Sequence, residues 1–142
     1  MLTRFRFTHF AALTLSTALL GACVASPTDT AQLTADQPLS QRSNHGLVEA
    51  TVSLTQPEIA RGPNDFSIAL SATNGASSPL LTSVEASMAA HGHHASAVSI
   101  DSDGQAFRAV GLDLFMSGVW QIALDVELDD RSDVVEFSLD VP

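Results

Sequence analysis

Beyond Gly46, apolar side chains fall at every second position for most of the chain. That is the period of half-buried strands, whose successive side chains point to opposite faces, and no helical period competes with it. Val48, Ala50, Val52 and Leu54 share one face, and Phe66, Ile68, Leu70 and Ala72 repeat the pattern. Between them runs a connection from Pro57 to Asp65 that contains Arg61-Gly62-Pro63-Asn64. A third strand carries Leu80, Thr82, Val84, Ala86 and Met88, and a short one spans Ala97 to Ile100. Asp101-Ser102-Asp103-Gly104 then reads as a hairpin turn, because Asp-Gly accepts positive φ, and it leads into Phe107 to Val110 and on to Met116. Trp120, Ile122, Leu124, Val126 and Leu128 form the cleanest alternation, with Gln121, Asp125 and Glu127 outward. After an Asp129 to Asp133 turn, Val135, Phe137, Leu139 and Val141 complete about seven strands. The fold class is all-β, an immunoglobulin-like sandwich of two sheets.

The first residues depart from this pattern. Arg4 and Arg6 precede an apolar stretch from Phe7 to Leu20, followed by Leu20-Gly21-Ala22-Cys23. A basic start, an apolar middle and small residues before a cleavage point describe a signal peptide over 1–22. A cysteine directly after Leu-Gly-Ala resembles a bacterial lipobox, which makes Cys23 the acylated first residue of the mature chain. An ordinary secretory peptide cut nearby, or an uncleaved anchor helix, is the alternative, although the stretch is short for a span. The expected location is outside the cytoplasm, lipid-anchored to a bacterial membrane. Val24 after Cys23 favours the outer membrane, facing the periplasm, where the cell has one.

Residues 23–45 are rich in Ala, Ser, Thr, Gln, Asp and Pro. Such a segment buries too little surface to offset its ordering entropy, so a flexible linker is expected, with a solvated His45 near its end. Residues 46–142 have the length of one domain. Its stability must come from its core, since a lipidated Cys23 leaves no cysteine for a disulfide.

The chain carries a formal net charge of −10, with sixteen acidic residues against six arginines and no lysine. Loss of the signal peptide leaves Arg42, Arg61, Arg108 and Arg131 as the only cations besides histidine. A field of that sign repels nucleic acid and anionic head groups and favours cations, so a nucleic-acid partner is excluded. The acidic run Asp125, Glu127, Asp129, Asp130 and Asp133 is expected on a solvated face and turn.

Specialised chemistry is concentrated in two places. His91-Gly92-His93-His94 follows Met88 closely, and Met116 lies in Phe115-Met116-Ser117-Gly118-Val119-Trp120. Neutral imidazole is a good ligand for copper, zinc and nickel, and a thioether shifts the preference toward copper(I). In an extended backbone His91 and His93 project to one side and His94 to the other, while Gly92 permits a bend that gathers all three. A solvated histidine loop with methionine core fillers accounts for the same residues. Trp120 is expected as a core anchor. Asp101-Ser102-Asp103-Gly104 lacks the third acidic position and distant glutamate of an EF-hand, leaving the hairpin. With no Gly-x-Ser-x-Gly elbow and no Gly-rich phosphate loop, an enzyme is not expected.

Taken in order along the domain, Gly62-Pro63-Asn64 before Phe66, then Pro79, Val84, Met88, His91, His93 and His94, and finally Phe115-Met116-Ser117-Gly118-Val119-Trp120 resemble a YtkA-like domain. The periplasmic part of FixH-type proteins is similar. The resemblance implies an immunoglobulin-like fold and copper handling outside the cytoplasm, with Met88, His91, His93, His94 and Met116 as ligands. By family analogy, the partner is a copper-donating or copper-accepting protein such as a respiratory oxidase. Two positions depart from the family pattern: Ser87-Met88-Ala89-Ala90-His91 stands where Met-Pro-Met-like sequence is common, and Ser117 stands at the usual proline. The lower thioether content leaves room for copper(II) or zinc beside copper(I). The alternative function is an immunoglobulin-like interaction module whose histidines are incidental.

Overall fold

The computed structural model describes residues 33–34, 36–75 and 77–142, so the signal peptide and Cys23 lie outside the described residues. Nine strands make two antiparallel sheets: β1 (Leu39–Arg42), β2 (Val48–Leu54), β3 (Gly62–Ala72), β4 (Leu80–Met88), β5 (His93–Ser96), β6 (Ser99–Ser102), β7 (Phe107–Leu114), β8 (Gly118–Leu128) and β9 (Arg131–Val141). One sheet has the order β1-β2-β3-β7-β6 and the other β5-β4-β8-β9. The apolar positions read from the alternation face each other between the sheets, from Val48 and Ile68 on one side to Ile122 and Leu139 on the other. This is an immunoglobulin-like all-β sandwich, and Trp120 is fully buried between its sheets.

Two strands go beyond the expected seven. Among the residues assigned to a flexible linker, Leu39–Arg42 pairs with β2 and Leu33 is buried, so packed structure begins before Gly46. The composition there is polar because β1 is a sheet edge whose side chains are largely exposed. The short strand expected over Ala97 to Ile100 begins only at Ser99, as β6, and an additional strand, β5, precedes it. Between them the chain crosses from one sheet to the other: Ala97 N–H donates to Val84 O and Val98 N–H to Val110 O. β9 likewise starts earlier than Val135, because Asp129 and Asp130 both adopt positive φ and form a two-residue turn between Leu128 and Arg131. Positive φ at both central positions matches the twist of the flanking strands.

Two polar residues sit at inward positions. Asn64 shares the parity of Phe66 and Ile68 and is buried. Its Oδ1 accepts from Gln56 Nε2 and Ala60 N–H, and its Nδ2 donates to Ala60 O and Gly62 O, which shapes the β2–β3 connection. Asp133 shares the parity of Val135 and Phe137 and is also buried, correcting its expected place on a solvated face.

Register between β3 and β7 shifts between Asn64 and Phe66, and Gly111 lies opposite this irregularity at φ +71°. Its N–H donates to the Asp65 carboxylate, which also receives Arg108 Nη2 at 2.8 Å. The Gly111 bond, then Arg108, hold this carboxyl below its ordinary range. A Cβ at Gly111 would stand 3.0 Å from Val98 Cγ2. Gly111→Ala is therefore expected to cost about 1–2 kcal/mol from left-handed backbone strain alone, measured by urea denaturation. Unchanged stability would show that the bulge relaxes freely.

Candidate functional site

Met88 ends β4, and Ala89 to Gly92 form a four-residue connection to β5. His91 and Gly92 N–H groups both donate to Met88 O, and Gly92 takes φ +66°, the left-handed conformation that closes such a loop without steric cost to a glycine. His93 then pairs with Met88, and His94 with Ser87. Opposite residues of an antiparallel pair share a face. His93 therefore lies on the inner side with Met88, half-buried, while His94 lies on the outer side of the sheet. Gly92 gathers His91 toward His93, their rings stacked with centroids 6.1 Å apart, and leaves His94 behind.

The second segment leaves β7 at Leu114 and enters β8 at Gly118, whose φ is +117°. Trp120 Nε1 donates to Met116 O at 2.9 Å, so the buried indole fixes the turn from beneath. Phe115 packs edge-on against Trp120 at 5.5 Å and against His93 at 5.2 Å. Met88 Cε lies 3.5 Å from where a Cβ on Gly118 would stand. The two segments meet at one end of the sandwich through these contacts.

Of the five proposed ligands, His91 and His93 are adjacent and accessible, and Met116 is half-buried on the facing turn. Met88 is 3 % exposed, packed beneath Gly118, and belongs to the core. His94 lines a separate groove with Glu85, Gln121 and Glu136. Among the described residues no group of three or more His, Cys, Asp or Glu side chains is poised around one point. What the arrangement offers is a pair of imidazoles, one of them packed on Phe115, the residue before Met116, whose own side chain packs against the core. Metal–nitrogen bonds of about 2 Å hold two ring centroids no more than about 6 Å apart around a single ion, so the stacked pair stands at the outer edge of that span and must turn its ring nitrogens toward one point to share an ion.

Phe115 was visible in the sequence only as part of a turn motif, yet it is the wall joining His93 to Trp120. A second constellation, Ser43, His45 and Asp133, carried one sequence signal: an aspartate at the inward parity of β9. No helix among the described residues is long and apolar enough to cross a membrane. No family model, curated protein or solved structure matches the chain.

Proposed function

We propose that this is a membrane-anchored, extracytoplasmic copper-binding protein in which His91, His93 and Met116 supply the accessible donors. The observation that carries the reading is the contact of His93 with Phe115, next to Met116, at the end of the sandwich where His91 also stands. The lipobox-like Leu20-Gly21-Ala22-Cys23 and the resemblance to YtkA-like domains add to it. Copper is cargo here. A two-histidine site with a thioether neighbour takes up copper(I) and releases it by ligand exchange, and exposed imidazole gives the acceptor an edge to attack.

The test is competition of the full chain against a chromophoric chelator with copper(I) and copper(II). His91→Ala/His93→Ala is expected to weaken binding at least about tenfold, about 1.4 kcal/mol. Met116→Leu should weaken copper(I) more than copper(II), because only the softer ion gains from the thioether. Equal affinity in the double variant would sink the proposal. A second reading, an interaction module, draws on Phe115 and Val119, which are 44 % and 47 % exposed and lie on or beside the same turn. Copper-independent loss of partner binding in Phe115→Ser would favour it.

A further inference from the structure

The β1–β2 loop, Ser43 to Leu47, holds an arrangement that the copper reading does not use. Asp133 rises from β9 beneath this loop and accepts from the N–H groups of His45, Leu47 and Val134. The Ser43 hydroxyl, which accepts from Val48 N–H, donates to the same carboxylate. His45 Nδ1 lies 3.0 Å from Asp133 Oδ1. Three backbone N–H groups already donate to this carboxyl, so it meets the His45 ring as an acceptor. Nδ1 is thereby engaged by Asp133, and Nε2 is the ring nitrogen left to meet a ligand. Its side chain is 79 % exposed.

Metal-ligating histidines commonly have this form, with one ring nitrogen held by a carboxylate and the other free to bind. His45 also lines a groove of about 380 Å³ with Asn44, Ser83 and Asp125. The Ser83 hydroxyl donates to Asp125, orienting that carboxylate as well. Arg42 lies against Gly46 in the same loop, but Asp125, Asp133 and Glu136, the last bonded to Asn44 Nδ2, outnumber it.

We infer that His45 Nε2, with Asp125, forms a second metal site that takes a divalent cation of the zinc or copper(II) kind. Two protein donors leave the remaining positions to water. Asp133 is a positioning residue that sets the tautomer and the ring angle. This site is remote from the first: Val141 pairs with Gly118 while Asp133 pairs with Val126, and eight strand residues span about 26 Å. It stands independently of the copper proposal.

The experiment is a Zn²⁺ titration of the full chain carrying His91→Ala/His93→Ala, which silences the first pair, followed by ¹⁵N correlation spectra of the imidazoles. The expected result is a saturable shift of His45 Nε2 with the Nδ1 proton retained, and a Zn²⁺ affinity that is weakened by Asp125→Asn and lost in His45→Gln. Neither substitution removes the carboxylate that stitches the loop, so both variants fold. A His45 resonance indifferent to Zn²⁺, coordination through Nδ1, or undiminished binding after His45→Gln would overturn the site.

Discussion

Trp120→Ala is expected to destabilise the domain by about 3–5 kcal/mol, the range for emptying a buried aromatic position. The indole is fully buried and spans two roles. It fills the space between the sheets beneath the β7–β8 turn, and its Nε1 donates to Met116 O. Removal leaves a cavity, an unpaired carbonyl and a Phe115 ring without its support. Whole-domain stabilities run only to about 5–15 kcal/mol, so the variant is expected to lose a large share of the total. Circular dichroism in urea measures this, since the substitution removes the only tryptophan of a chain without tyrosine. Trp120→Phe separates the roles. It keeps most of the volume and loses the hydrogen bond, with an expected cost of about 1 kcal/mol. If Trp120→Phe weakens copper binding while remaining folded, the bond to Met116 O positions that turn; unchanged affinity would show that packing alone suffices.

Asp133→Asn is expected to cost about 3 kcal/mol, because hydrogen bonds to a charged group are each worth roughly 1.5–3 kcal/mol and an amide returns only one acceptor oxygen to this ring of donors. Asp133 is the contact through which the β1–β2 loop of one sheet is tied to β9 of the other, helped by Asn44 N–H donating to Val134 O. Burial pushes its carboxyl up, but the Ser43 hydroxyl, the His45 and Val134 N–H groups and the His45 ring outweigh it and hold the group far below 3.8. A depressed folded value contributes stability that is complete above the unfolded value and lost as pH falls toward the folded one. Wild-type stability should therefore decline as pH drops below about 4, and Asp133→Asn should flatten that decline. Asp65 is shifted the same way and contributes a residual slope. Parallel acid profiles for wild type and variant would remove Asp133 from this role.

The strand pattern was legible because alternation is a local consequence of the pleat: each strand that buries one face reports itself in its own residues. β8, with Trp120 to Leu128, needed nothing else. β1 and β5 escaped notice because four-residue edge strands bury little and so carry little pattern. The opposite placement of His93 and His94 also followed from alternation. So did the inward face of Met88; that His91 bends to His93 and that Phe115 stands between His93 and Trp120 did not. Those depend on which strand ends lie at the same end of the sandwich.

Asp133 illustrates the boundary. Its inward parity in β9 was present in the sequence, yet an aspartate there has a physical meaning only once its donors are known. Ser43 and His45 lie 90 and 88 positions away. Local periodicity is enough to specify the class of fold and the faces of its strands. The pairing register brought distant polar groups into one dielectric setting, and that decided which side chains are held, which are exposed and which can act together.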